Sequence, residues 1–249
     1  MQEIDSNAAV QFLEMVTEGW PDLREKAALE IRCLFPGKPP QIGRFAPTPE
    51  GIAEAVRYAA GFNQQGYNAY PVINPVRASA PIRRDNKLSG ALDTDIICSF
   101  FFWADGDDEA AVYAIQNFAG PKYTFAVTTG KTPFPRPHIY WRIADGPIYN
   151  MDTWGQIQRG IAAQLSTDKT VVNPSRIMRL PGLTNWPTDA KRAKGRIPEI
   201  ATMRTQYDDE RAPVEAERMW RVFGASGAAQ ATPAPDGFQI DTGAAQRTQ

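Results

Sequence analysis

The stretch Asp95–Ala104, DIICSFFFWA, constrains this 249-residue chain more than any other. Apolar and aromatic side chains fall on both of its alternating faces, the pattern of a central strand covered on each side. It runs directly into the acidic turn Asp105-Gly106-Asp107-Asp108-Glu109. Asp107–Ala119 then reads as a helix, with Ala111, Ile115 and Phe118 on one face. Lys122–Thr128 alternates (Tyr123, Phe125, Val127) and reads as a strand, and residues 130–137 form a Pro-rich loop. His138–Ile143 alternates again, and Met151–Leu165 reads as a helix. Thr170–Leu180 contains a short extended segment, broken by Pro174 and ended by Pro181. The order β-α-β-β-α-β is the split βαβ arrangement of ferredoxin-like and RRM-like modules.

Upstream, Asn7–Glu18 reads as a helix capped by Ser6 or Asn7. Leu23–Leu34 is a second apolar-periodic stretch. Residues 35–49 hold five prolines and two glycines and read as a loop. Pro49–Gln65 reads as a helix closed by Gly66, and Tyr67–Ile73 as a strand. Residues 74–94, with Arg77, Arg83, Arg84 and Lys87, read as a long exposed loop. The expected class is α+β: an N-terminal α/β module over 1–94 packed against a ferredoxin-like module over 95–205, with the working cleft between them. A helical segment (206–223) and a flexible Ala/Gly/Thr/Pro/Gln-rich tail (224–249) follow, and that tail's composition fits the front part of a longer protein.

Composition narrows the chemistry. No apolar run reaches the ~18 residues of a membrane span, and the N-terminus lacks a basic segment followed by an apolar one, so neither a membrane partner nor a secretory signal is expected. One histidine and two cysteines cannot fill a closed four-ligand zinc site, so no zinc is expected. The thiols are expected to be reduced and buried. Net charge is −1, but Lys122–Ala144 carries four basic residues and no acid, and Lys169–Arg196 carries seven against one acid. Acids collect at 105–109 and 208–217. That separation suits a polyanion held against metal-binding carboxylates; a solvated charged surface explains the runs equally well.

In a split βαβ sheet the first strand lies between the third and the fourth. Its C-terminal end therefore meets their N-terminal ends. Asp105 and Asp107 follow the first strand, His138 opens the third, and Asp168 precedes the fourth, so all four are expected at one sheet edge. Asp105 and Asp107, spaced i, i+2, face the same way with Cα atoms about 6–7 Å apart and suit a hard divalent cation. Asp168 would complete a two-metal site. The alternative for this turn is an acidic helix N-terminus stabilised by the macrodipole. His138, Tyr140 and Arg142 share a face suited to a triphosphate, with Ile139, Trp141 and Ile143 opposite; a lone strand histidine is equally at home in a purely structural role. Arg176 and Arg179 suit phosphate oxygens, or are surface arginines around the Pro181-Gly182 turn. Asn185, Lys191, Arg192 and Lys194 are read as contacts to a nucleic-acid backbone. Gly130-Lys131-Thr132 is not a P-loop: Phe125 stands where its first glycine is required, and Pro133 and Pro135 stop the helix that must follow.

Three segments, ADGDD after the aromatic strand, PHIYW, and STDKTVVNPSRIMRLPGLTN, resemble the three motifs of the archaeo-eukaryotic primase (AEP) superfamily. The likeness is to primase-polymerase and RepB-type primase members of phages, plasmids and other mobile elements, and it covers about residues 67–200. It implies a nucleotidyltransferase: a DNA primase and DNA polymerase that extends on single-stranded template from NTP or dNTP during replication of a mobile element. It implies two divalent ions, Mg²⁺ or Mn²⁺, on Asp105, Asp107 and Asp168. His138, Arg176 and Arg179 would contact the nucleotide, and a helicase would be a partner in cis or in trans. A bacterial host cytoplasm is the implied setting. The second motif departs from the pattern: Arg136 stands two before His138, where a small residue is usual, and Thr129 and Gly130 lie further upstream.

Two other classes compete. A non-catalytic single-stranded nucleic-acid-binding module of this topology needs exposed stacking aromatics, for which Phe101 and Trp103 are candidates. A metal-dependent nuclease on a palm-like fold would degrade DNA and ignore triphosphates.

Overall fold

The computed structural model describes residues 4–83, 90–205 and 213–224. Its elements in chain order are α1 (Ser6–Thr17), β1 (Ala27–Leu34), β2 (Gln41–Phe45), α2 (Pro49–Asn63), β3 (Asn68–Pro71), β4 (Val76–Arg77), β5 (Phe101–Asp105), α3 (Glu109–Gln116), β6 (Phe125–Thr128), β7 (Pro137–Arg142), α4 (Met151–Gln164), β8 (Thr184–Asn185), α5 (Asp189–Arg192), β9 (Glu199–Ile200), β10 (Thr202–Thr205) and α6 (Ala216–Met219). The class is α+β, as expected. Two compact units are interleaved in sequence. Unit 1 draws on Met1–Ile97, Val127–His138 and Ser175–Arg204; unit 2 draws on Cys98–Ala126, Ile139–Pro174 and Thr205–Gln249. Among the described residues no helix is long and apolar enough to cross a membrane.

Unit 1 is built on β1. It pairs antiparallel with β2 on one side and β3 on the other, setting Ile31 opposite both Gly43 and Pro71. Helix α2 packs on these strands, and α1 packs on α2. The buried positions of α1, Ala9, Phe12, Leu13 and Val16, recur at helical spacing and are fully inaccessible. The α1 cap is Asp5, whose carboxylate accepts the Ala8 N–H, rather than Ser6 or Asn7. Strand β2 lies within the stretch read as a Pro-rich loop. Its prolines flank it, so none interrupts the five residues paired with β1.

The stretch read as an exposed loop over 74–94 is partly clamped where it is described. Glu30 of β1 is fully buried. It accepts from Arg32 Nε (2.7 Å), Arg44 Nε (2.8 Å) and the Ala91 N–H (2.9 Å). The two arginines in turn donate to the carbonyls of Ala80, Pro81 and Ala91. A buried carboxylate persists only with such partners. Arg84 and Lys87 lie outside the described residues.

Unit 2 contains the aromatic strand. The second sheet has the order β10-β6-β7-β5. The expected pairing of the first and third strands is present as β5 beside β7. The expected fourth strand is not beside β5. Its residues lie along β3 in unit 1: Val72 bridges Ile177, Met178 N–H donates to Pro71 O (3.1 Å), and Leu180 N–H donates to Ala69 O (3.3 Å). Helix α3 starts at Glu109 with Asp108 as its cap, two residues later than the sequence pattern indicates. Cys33 and Cys98 are fully buried, and burial pushes each thiol up to about 12.

The segment then turns at Gly182, which takes a left-handed φ of +79°. Its carbonyl accepts the Asp5 N–H (2.8 Å), and its own N–H donates to Ala201 (2.7 Å). A Cβ at this position would collide with the Asp5 carbonyl. Gly182→Ala is expected to lower stability by about 2–4 kcal/mol, read as a shift in the urea unfolding midpoint.

Candidate active site

Asp105 closes β5, and two devices hold that strand. The first is an aromatic floor. Phe125 stacks on Tyr140 (4.5 Å, 15°) and meets Phe101 edge-on (5.8 Å). Tyr140 is fully buried. Burial, and then the charge of Asp105, push its phenol well above its usual range. The second device is on the other flank of β5. Gln158 of α4 accepts from Trp103 N–H (3.3 Å) and donates to Trp103 O (2.6 Å), mimicking a neighbouring strand with one side-chain amide. Trp154 Nε1 donates to Phe101 O (2.9 Å). This is why β5 does not need the expected fourth strand beside it.

Trp103 also ties in the third carboxylate's segment. Its indole donates to Val171 O (3.3 Å), and Val171 N–H donates back to Asp168 O (3.0 Å). Asp168 is exposed and accepts from Thr170 N–H and Oγ1, both at 2.8 Å. Asp105 and Asp107 are half-buried. The two readings of the acidic turn divide by residue. Asp108 is the helix cap, accepting the Ala111 N–H at 2.8 Å. Asp105 belongs to the strand, and Asp107 lies in the link. The donor set is hard oxygen, the chemistry of Mg²⁺ and Mn²⁺. Among the described residues, however, no group of three or more His, Cys, Asp or Glu side chains is gathered to hold an ion.

The remaining expected residues divide between the units. His138 belongs to unit 1 and is 8% exposed. Arg142, in unit 2, is half-buried. Trp141, on the opposite face of β7, packs edge-on to Phe223 (6.1 Å), so the expected apolar face does meet a helical segment. Arg176 is half-buried and Arg179 is 6% exposed, both in unit 1. Arg179 is braced: Nη1 donates to Asn68 Oδ1 (2.6 Å), Nη2 to Tyr70 Oη (2.8 Å), and its guanidinium lies 4.3 Å over the Tyr70 ring. Asn68 also exchanges bonds with the backbone of Trp186, and Asn63 does so with Thr184. Asn185 donates to Thr129 O (2.6 Å), and Lys191, Arg192 and Lys194 are exposed on and just after α5. Gln158, Asn63, Asn68 and Glu199 escaped the sequence reading because single polar residues carry no periodic signal.

No family model and no curated protein matches the sequence. Solved structures do match. The AEP domain of the cyanophage S-2L primase-polymerase superposes with a TM-score of 0.60 at 18% identity, over 89% of this chain and all (100%) of that one. The fold is that of an AEP domain. A crystal structure of the primase RepB′ gives a TM-score of 0.53 at 14% identity, over 89% of this chain and 64% of that protein. The catalytic domain of RepB′ in complex with initiator DNA gives 0.52 at 14% identity, over 90% and 97%. Within this AEP fold Phe101 and Trp103 are 2% and 0% exposed, so neither is available for base stacking.

Replacing Gln158 by Leu keeps the volume but leaves the Trp103 N–H and C=O buried and unsatisfied. The expected loss is about 2–3 kcal/mol in urea unfolding, since a stranded buried polar group carries its full desolvation cost.

Proposed function

We propose that the chain is a nucleotidyltransferase of the primase-polymerase kind, extending a strand on a single-stranded DNA template from nucleoside triphosphates. The observation that carries this reading is the AEP fold with Asp105 at the end of its aromatic strand and the Asp168 segment bonded to that same strand through Trp103. Asp105, Asp107 and Asp168 would hold divalent ions, which when bound neutralise phosphate charge and lower the pKa of an attacking hydroxyl. The reaction joins a 3′ oxygen to the α-phosphorus of the incoming nucleotide and releases pyrophosphate.

The chain's own residues do the rest. Arg176 and Arg179 are the candidates for phosphate oxygens. The Asn68–Tyr70 brace holds the Arg179 fork in one orientation, so little side-chain entropy is lost on binding. His138 offers a ring N–H to the same nucleotide. Tyr140 lies within the electrostatic reach of Asp105, and its ring is fully buried and stacked on Phe125. Asn185, Lys191, Arg192 and Lys194 would meet the DNA backbone, where cations release condensed counterions. A helicase in cis or in trans and a role in replicating a mobile element complete the reading.

The test is incubation with single-stranded DNA, labelled NTP or dNTP, and Mn²⁺ or Mg²⁺, with and without a primer. Incorporation is expected; metal-dependent degradation of the DNA without incorporation would instead mark a nuclease. Asp105→Ala and Asp107→Ala are each expected to abolish incorporation while leaving DNA affinity within about twofold, because phosphate contacts dominate that affinity. Arg179→Ala is expected chiefly to raise the nucleotide KM.

A further inference from the structure

The loop between β6 and β7, taken with the first residue of β7 as residues 129–137, reads Thr-Gly-Lys-Thr-Pro-Phe-Pro-Arg-Pro and leads into His138. Its base is closed by the Thr129 N–H on Arg136 O and the Arg136 N–H on Gly130 O, both at 2.9 Å, and its three prolines leave few N–H groups for further backbone bonds in the tip. The loop is nonetheless tightly bound, and its polar groups converge on one carboxylate. Glu199 Oε2 accepts from the Lys131 N–H (2.9 Å) and the Thr132 N–H (3.2 Å), and Oε1 accepts from Thr132 Oγ1 (3.1 Å). Arg136 Nη2 lies 3.5 Å from Oε2. Arg136 is only 1% exposed, and its Nη1 donates to Thr132 O (2.6 Å) and Phe134 O (3.1 Å). The residue that departs from the usual second motif is therefore the loop's internal strut. A Cβ on Gly130 would meet that guanidinium and the Glu199 carboxylate, so a larger residue there would displace the pair.

Glu199 sits directly opposite Asn185 in the two-stranded ribbon β8–β9. Directly opposed residues of an antiparallel pair project to the same face. Asn185 uses that placement to donate to Thr129 O (2.6 Å). The ribbon thus grips the loop at Thr129 through an amide and at Lys131–Thr132 through a charge. All of these residues belong to unit 1.

We infer that Glu199, with Asn185, is a positioning residue: it holds the 129–137 loop, and through it His138, in the orientation that receives the nucleotide. This rests on the nucleotidyltransferase reading. The carboxylate is the effective anchor because charge-assisted bonds to two successive N–H groups and a guanidinium exceed neutral ones.

Limited trypsin digestion tests the anchoring without reference to activity. Lys131 is exposed and precedes Thr132, so it can be cut once the loop opens; Arg136 precedes Pro137 and resists. In Glu199→Ala, cleavage at Lys131 is expected to be about tenfold faster, with other sites unchanged, because local opening sets the rate. The nucleotide KM is expected to rise by a similar factor, with kcat held within about twofold, as for lost uniform binding. Glu199→Gln keeps an acceptor for the N–H groups and a donor toward Thr132 Oγ1 but loses the charge, and is expected to fall between the wild type and Glu199→Ala in both protection and KM. Unchanged cleavage in Glu199→Ala would overturn the inference, and so would faster cleavage with an unchanged KM. A wild-type protein that incorporates no nucleotide would overturn the underlying reading instead.

Discussion

One side-chain amide closes the open flank of the strand on which the candidate site depends. A β-strand at the end of a sheet presents unpaired N–H and C=O groups, and burying them without partners is costly. At Trp103 both groups are met by Gln158 of α4, and at Phe101 the carbonyl is met by the Trp154 indole. The strand can then be apolar on both faces, as its sequence demands, and end in a half-buried acid. The same Trp103 reaches Val171 with its indole, so the segment carrying Asp168 is bonded to the strand carrying Asp105.

Unit 1 shows a second use of polar side chains as backbone surrogates. Asn63 and Asn68 bind the main chain of Thr184 and Trp186, and residues 177–180 bond along β3. The Arg-Leu-Pro-Gly sequence is largely architectural in this setting. Leu180 is fully buried, Gly182 supplies a left-handed turn against Asp5, and Arg179 is clasped by Asn68 and Tyr70. A guanidinium fixed in this way can serve a phosphate with little reorganisation, so the structural and functional readings of that residue are compatible.

Elements set by local pattern were legible in the sequence. Helices α2 and α4 follow from periodicity and caps, and the Asp-Gly-Asp turn follows from residue type; of the strand expected over Asp95–Ala104 only Phe101–Ala104 is strand, because Asp95 closes a short 3₁₀ turn and residues 96 and 99 make only isolated bridges. What could not be read depends on distant partners. Strand β2 hides among prolines because its pairing with β1 is non-local, and the clamp on the 74–94 stretch depends on Glu30, buried in a strand. The fourth strand was misplaced because an extended pattern does not name its partner: the Gln158 amide had already satisfied β5, while β3 offered carbonyls at Ala69 and Pro71. In the site, alternation correctly put His138 and Tyr140 on the face opposite Trp141. It carries no information on depth, and Tyr140 proved fully buried. Arg136 looked like a defect in the second motif because its partner, Glu199, is remote in sequence.

The proposed function requires Asp105 and Asp168 to serve one metal site. The most direct measurement is anomalous scattering from crystals soaked with Mn²⁺ and a non-hydrolysable nucleoside triphosphate. Manganese bound by the carboxylates of both residues is the expected result. Manganese on Asp105 with Asp168 directed to solvent, or no manganese at either, would contradict it.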